Sequence, residues 1–333
     1  MAMNNCGLVA DAGGTNVRFA LVDIDQAHLA LTAPRKYASK GFASIEHAAH
    51  AYLSEQVLNR PPVAAVLSVA GPVNGNAICM TNLGWRFSGD GFGKALSIGG
   101  VRLINDYEAI ARSVPFLGTA DLRDIGPVKT PGAGTHETVA IVGPGTGLGV
   151  GGYVRTSNSL TPLVTEGGHM DFAPADDIEI EVLKFLRARF GHVSAERVLS
   201  GPGLSNLFEA LSTIAGRQNS TLEAHAITAQ ALSDRNSFSG QVLSRFCAIL
   251  GSVAGNVALI MGARNGVLLA GGILPAVADF LAASPFRARF EAKGRFETYM
   301  RGIPTRLIVQ DNAGLLGAAA SLIAMRGVRD GHR

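Results

Sequence analysis

Cysteine, aromatic side chains and charge are all scarce in this chain. Three cysteines in 333 residues, Cys6, Cys79 and Cys247, stand far apart and form no C-x-x-C pair. That excludes a disulfide framework or a cysteine-rich zinc site and fits a reducing cytoplasm. Aromatics are 6% and charged residues 17%; 29 basic residues against 26 acidic leave a net +3 without any basic cluster, so nothing points to nucleic acid. The opening MAMNNCGLVAD lacks the basic start and the long apolar run of a signal peptide. Long apolar runs are nearly absent too, with one case to weigh. Phe246 to Ala263 are 18 uncharged residues between Arg245 and Arg264, with Gly251 and Gly255 forming a G-x-x-x-G. The stretch also holds Ser252, Asn256 and Gly262. Its apolar rhythm (Val242, Phe246, Ile249, Val253, Val257, Ile260) begins outside the window at helical spacing. The expectation is a buried helix in a soluble protein, with no membrane.

What is present is apolar residue and glycine. Hydrophobic residues at 47% supply a sizeable core, and 333 residues at roughly 100–200 per domain predict two domains or one large α/β unit. Forty-one glycines without a G-X-Y period exclude collagen and imply close backbone approaches. Cys6–Ala10, DAGGTN (Asp11–Asn16) and Val17–Asp23 read as strand, tight glycine turn and strand. A helix is predicted over Phe42–Leu58, stopped by Pro61-Pro62, then strands at Val63–Val69 and Val101–Ile104, the latter leading through Asn105-Asp106 into a helix, Tyr107–Ser113. Asp121–His136, rich in Gly, Pro and Thr, reads as a loop or linker. Thr138–Gly143, PGTGLG and Val150–Val154 then repeat the opening pattern, which predicts a duplicated α/β core with two halves facing a shared cleft. Helices follow near Ile178–Arg189, Gly203–Thr213, Thr228–Leu232 and Phe238–Gly262. A further strand and glycine turn (Val267–Ile273), a helix from Pro275, a strand at Arg306–Val309 and a closing helix, Ala313–Met325, complete the chain, with a frayed tail from Arg326.

Glycine turns at strand ends let backbone N–H groups converge on anionic oxygens, because no Cβ blocks the approach. In DAGGTN, Gly13 and Gly14 offer that approach, Thr15 a hydroxyl, and Asp11 a carboxylate able to hold Mg²⁺ through water. Either turn alone is also an ordinary hairpin; two, each after a buried strand, fit a polyphosphate gripped from two sides. GLGVGG (147–152) formally matches G-x-G-x-x-G, but Val150–Val154 reads as strand where a dinucleotide fold opens a helix. Gly93-Lys94 is followed by Ala95, with Ser88 at the first glycine position, so there is no Walker A loop. Asn105-Asp106 ends an apolar strand, where α/β sheets carry their active groups. Asp106 fits either a base for a substrate hydroxyl or the N-cap of the next helix. EGGHMDF (Glu166–Phe172) joins a carboxylate and the His169 imidazole across two glycines, and HVSAERVLSGPG (His192–Gly203) adds Glu196. Such carboxylates, with amides such as Asn82 and Asn105, suit vicinal sugar hydroxyls. Zinc at His169 lacks a second ligand at the right spacing, and Glu196 is alternatively a capping-box partner.

DAGGTN, TNLGW, LINDYEA, GPGTGLG, EGGHMDF, GHVSAERVLSGPG, LLAGGI and VQDNAGLLG, in this order and over Leu8 to Ala320, resemble bacterial glucokinases of the proteobacterial hexokinase-like type. The resemblance implies an α/β fold of two ribonuclease-H-like (actin-like ATPase) domains with a cleft between them, drawn here as 1–112 plus 310–326 and 113–309. It implies ATP- and Mg²⁺-dependent phosphorylation of glucose at the 6-hydroxyl, in the cytoplasm, by a homodimer. By motif, Asp106 matches the catalytic base; Asn105, Glu166, His169 and Glu196 match the sugar-holding positions, with Asn82 a weaker match because TNLGW departs from the pattern in its middle. Ala10, Asp11, Ala12, Gly13, Gly14 and Thr15 form the first phosphate segment, Gly145, Thr146 and Gly147 the second, and Gly271-Gly272 the adenosine segment. Ala10 stands where relatives often carry glycine. An aspartate near its reference pKa of about 4 is a weak base, so Asp106 orients the hydroxyl early and takes the proton late. Rival readings fit less well. The ROK type would add a helix-turn-helix before Leu8 and cysteines after the Gly-His, yet none lies between Cys79 and Cys247. A regulatory ATPase would not need Asn105-Asp106 with the EGGH and AER carboxylates. Another hexose or aminosugar stays open as the substrate.

Overall fold

The computed structural model describes residues 5–26, 28–80, 83–127, 136–157, 159–217 and 221–330. The chain forms two units, Met1–Leu117 with Gln310–Arg333, and Gly118–Val309.

The first unit opens with β1 (Cys6–Ala12), β2 (Asn16–Asp23), β3 (Leu31–Ala38) and α1 (Ile45–Ser54). It continues through β4 (Ala64–Val69), the hairpin β5 (Ala77–Met80) and β6 (Trp85–Ser88), α2 (Gly89–Leu96), β7 (Val101–Asn105) and α3 (Asp106–Ser113). The second unit holds β8 (Leu122–Asp124), β9 (Glu137–Pro144), β10 (Leu148–Arg155), β11 (Leu160–Val164), α4 (Asp177–Phe190), α5 (Gly201–Ile214), α6 (Ala224–Ser233) and α7 (Phe238–Met261). It ends with β12 (Gly266–Leu269), α8 (Ala278–Ala282), α9 (Phe286–Glu291), α10 (Glu297–Arg301) and β13 (Thr305–Ile308). The chain then returns to the first unit as α11 (Ala313–Asp330), so the C-terminal segment predicted to fray is helical to Asp330.

The strand order is β3-β2-β1-β4-β7 in the first unit and β11-β10-β9-β12-β13-β8 in the second. In each, the first three strands are antiparallel and the next two add in parallel, and the second sheet gains β8 at its edge. The duplication read from the two glycine turns is therefore real. Two corrections follow at the edges. Asp121–His136 is not all loop, because Leu122–Asp124 pairs with β13; its residues 128–135 lie outside the described residues. The unpredicted strands β3 and β11 are also edge strands, each with a proline (Pro34, Pro162). Proline cannot donate to a ladder, and edges favour it. The α1 helix stops at Ser54, short of Leu58, because the Gln56 side chain and backbone N–H take the Tyr52 and Leu53 carbonyls.

All but the last two residues of the apolar 18-residue stretch lie in α7, which is long and apolar enough to cross a membrane by length and composition but whose side chains are mostly buried in the core of the second unit. Its G-x-x-x-G is a helix contact. A Cβ at Gly251 would strike the Phe286 carbonyl, and one at Gly255 would lie 2.8 Å from the Phe290 carbonyl, so the two glycines let α9 lie against α7. Beside that contact is an ionic cluster built around one buried carboxylate. Glu179 of α4, fully buried, accepts from Arg245 at 3.0 Å and Arg289 at 2.9 Å, and Arg245 also bonds Asp176. Burial works to raise the Asp176 pKa, but the Glu179 N–H and the Arg245 and Arg289 charges together hold it below the usual value.

Candidate active site

Alternation along β1 decides what the first glycine turn presents. Leu8, Ala10 and Ala12 join the core on one sheet face, while Val9 joins the other, beneath α11. Asp11 falls on the Val9 face. Register places Arg18 of β2 and Ser68 of β4 directly beside it. Ser68 donates to Asp11 Oδ1 at 3.3 Å and Arg18 approaches Oδ2 at 3.5 Å. The third neighbour is Gly314 in the first turn of α11, where a Cβ would sit 2.6 Å from the Asp11 carboxyl carbon. Desolvation raises the Asp11 pKa, with Arg18 and the Ser68 hydroxyl opposing it. Ala10 and Ala12 are fully buried strand residues, so the turn itself is Gly13-Gly14-Thr15. It is closed by the Gly13 N–H on Asn16 O at 2.9 Å and by Ser39, whose hydroxyl donates to Gly13 O.

At the end of β7, Asn105 and Asp106 take different tasks from those the sequence left open. Asn105 is the N-cap of α3: its Oδ1 accepts from Tyr107 N–H at 2.9 Å, and its Nδ2 donates to Gly71 O at 3.1 Å. Asp106 is the first helical residue instead, half-buried, with Oδ1 also accepting from Tyr107 N–H. The helix that begins with Asp106 lies against α11 through Gly317, where a Cβ would strike the Ala109 carbonyl. Both glycines of NAGLLG thus serve close approaches around Asp11 and α3. Asn82 lies outside the described residues.

In the second unit, β9 and β10 pair from Pro144↔Leu148, leaving Gly145-Thr146-Gly147 as the turn, with Gly145 N–H donating to Gly147 O at 2.7 Å. The strand β10, which runs through residues 148–152 of that motif, bears out the rejection of a dinucleotide fold. Three other segments close on this turn. The EGGH segment is a 3₁₀ turn over Gly167–His169, and Gly168 lies so near Leu148 O that no side chain fits. Gly201, opening α5, donates its N–H to Gly145 O at 2.8 Å. Gly271 (φ +89°) lies on the Pro144 carbonyl, a position closed to any Cβ; Gly272 beside it is exposed. Glu166 and His169 are exposed. Glu196 sits in a 3₁₀ turn (Ala195–Arg197) and is not a capping residue: its Oε2 accepts the Leu148 N–H at 2.8 Å.

The structure thus brings Asp11 together with Arg18, Ser68 and Gly314, and the second turn together with Gly168, Glu196, Gly201 and Gly271. Arg18, Ser68 and Gly314 carried no signal of their own; strand register and helix docking create their roles. No group of three or more His, Cys, Asp or Glu side chains able to hold a metal exists among the described residues. A lone partly exposed carboxylate beside a turn fits Mg²⁺ carried mostly by phosphates and water, with Asp11 as an outer contact.

Comparison with known proteins shows the family to which the chain is similar. A family model described as Glucokinase matches residues 8–325. A glucokinase of Caulobacter sp. (strain K31) is 47% identical over 316 residues, covering 95% of this chain and 94% of that protein. The crystal structure of a glucokinase from an Antarctic psychrotroph superposes with a TM-score of 0.80 at 38% identity, covering 96% of this chain and 98% of that one. A ROK family glucokinase from Streptomyces griseus, in complex with glucose and AMPPNP, shares the fold with a TM-score of 0.64 at 19% identity, covering 96% of this chain and 100% of that one.

Proposed function

We start from a plain premise, that the chain belongs to the glucokinase family, and propose that it transfers the γ-phosphoryl group of ATP to the 6-hydroxyl of glucose, giving glucose 6-phosphate and ADP. Phosphoryl transfer demands positioning and charge neutralisation more than covalent chemistry. Asp106 accepts the hydrogen bond of the 6-hydroxyl, aligns that oxygen for in-line attack and takes its proton late. The observation that carries this role is the placement of Asp106 at the first residue of α3, fixed by the Asn105 cap and by α11 behind it. The remaining sugar hydroxyls are held by Glu166, His169 and Glu196, and by the second Nδ2 hydrogen of Asn105. The amides of Gly13 to Thr15 and of Gly145 to Gly147 receive phosphate oxygens, and Gly271-Gly272 leave room for the nucleoside. When bound, Mg²⁺ supplies charge neutralisation at the β- and γ-phosphates, and Asp11 holds its water shell. The same reading sets the reaction in the cytoplasm and makes the protein a homodimer, which light scattering checks.

The test is a coupled assay of the purified protein with ATP–Mg²⁺ across a hexose and aminosugar panel, repeated with Asp106→Ala. Glucose should give the highest kcat/KM, and the variant should lose several orders of magnitude in rate. Equal rates in the two proteins would remove Asp106 from the mechanism.

A further inference from the structure

The second glycine turn and the segment bearing Glu196 are bonded to each other twice. Leu148 N–H donates to Glu196 Oε2 at 2.8 Å, and Gly201 N–H donates to Gly145 O at 2.8 Å. Contact is closest at Gly147, where a Cβ would overlap Glu196 Oε2 and lie 3.3 Å from its carboxyl carbon. The backbone that carries Glu196 is held in place. Its own carbonyl accepts the Ser200 hydroxyl at 2.9 Å, Ser200 caps α5 through Gly203 N–H, and Ala195 N–H donates to Met170 O at 2.8 Å. Met170 directly follows His169, and Gly168 presses on Leu148 O. The EGGH segment, the Glu196 turn and the Gly145–Leu148 turn therefore form one hydrogen-bonded block in which the Glu196 carboxylate accepts a backbone N–H at the end of the glycine turn.

We infer that Glu196 is a coupling residue: one carboxylate oxygen fixes the phosphate-receiving turn while the other serves the sugar, so that each ligand tightens the binding of the other. This rests on the proposed roles of Glu196 and the turn. Among the described residues, the Glu196 carboxylate is anchored at Oε2 by the Leu148 N–H. A sugar hydroxyl donating to Oε1 gives it a second anchor and narrows its motion. That holds Leu148 N–H and Gly147 in the arrangement that presents the turn's amides to phosphate. Coupling of this kind is reciprocal, and typical magnitudes are about 5–150-fold in affinity.

A pure sugar ligand and a coupling residue differ in what happens to the ligand that Glu196 is not thought to touch. Calorimetric titration of the full chain with AMPPNP–Mg²⁺, in the absence of sugar, should show Glu196→Ala weaker than the parent by about fivefold or more. Glu196→Gln should recover most of that loss, since an amide oxygen still accepts the Leu148 N–H. Adding glucose should tighten AMPPNP in the parent and leave Glu196→Ala unmoved. In the reverse direction Gly147→Ala, whose methyl displaces the end of the Glu196 side chain, should weaken glucose binding measured with no nucleotide present. Unchanged AMPPNP affinity in a folded Glu196→Ala, with glucose affinity lost, would overturn the coupling and leave Glu196 a sugar ligand only. If Glu196→Ala fails to fold, an unchanged glucose affinity in Gly147→Ala overturns it equally. A parent protein that does not phosphorylate glucose would instead sink the underlying reading.

Discussion

The two glycine turns share a strand arrangement and almost nothing else. In the first unit the turn follows a strand that delivers a carboxylate, and Arg18, Ser68 and Gly314 surround that charge. In the second unit the turn has no acidic side chain of its own and is clamped through backbone atoms: Leu148 O by Gly168, Pro144 O by Gly271, Gly145 O by Gly201. One copy of the duplicated frame manages charge, and the other manages shape. Duplication fixed where a phosphate-sized turn falls; the divergent surroundings fixed what each turn can do.

That contrast can be broken at either end. The largest effect is expected at Asp106 in the first unit. Asp106→Asn keeps size and helix position yet removes the proposed base, so kcat should fall about 10²–10⁴-fold with little change in glucose KM, as steady-state kinetics will show. In the second unit charge is used structurally. Glu179→Ala removes the shared buried partner of Arg245 and Arg289 and should cost about 1–3 kcal/mol in denaturant unfolding, because the two partly buried cations keep only the more exposed Asp176 as counter-charge. Gly168→Ala tests the shape half directly. The new methyl meets the Leu148 backbone oxygen, which no rotamer can move away, so a loss of about 1–3 kcal/mol and a lower Tm are expected, with weakened AMPPNP binding.

Asp11→Asn is the smallest stability effect and carries a definite sign. The folded-state pKa of Asp11 is raised, so the folded chain binds its proton more readily than the unfolded chain. Between the unfolded value of about 3.9 and the raised folded value, stability falls as pH rises, and above that window the full penalty is present. The neutral amide removes it. At pH 7 the variant should melt at or above the parent temperature, and the difference should vanish as pH is lowered to about 4. Over the same variants the KM for ATP–Mg²⁺ should rise at pH 7. A variant that melts lower at neutral pH would show that Arg18 and Ser68 outweigh desolvation at this site. Asp176 has the opposite sign: its lowered pKa contributes stability above about 3.9, lost as pH falls through the folded value.

Much of this was legible in the residue order. The central strands, the two turns and the long helices are apolar runs bounded by glycine, proline or capping residues, and local chemistry decides those. The edge strands β3, β8 and β11 were not legible, because proline and charge belong on sheet edges yet argue against strand in isolation. At the site, Asp11, Glu166 and His169 stood out as chemistry-bearing types near glycines, Asp106 as one at a strand end, and Glu196 as a carboxylate in the GHVSAERVLSGPG segment. Their division of labour did not. Whether Asn105 or Asp106 caps α3 depends on a choice of one residue, and the 48-position separation of Leu148 and Glu196 hides their hydrogen bond entirely.

By itself, then, the sequence determined the strands that lead into the paired turns, the turns themselves and a helix just after Asn105-Asp106, all of them consequences of neighbours along the chain. Only the tertiary structure decided what surrounds them. Register across β1, β2 and β4 assembles Asp11 with Arg18 and Ser68, and the return of α11 more than 300 residues later sets Gly314 against that carboxylate. Such contacts depend on which strands and helices lie side by side, and no local propensity encodes a partner that far away.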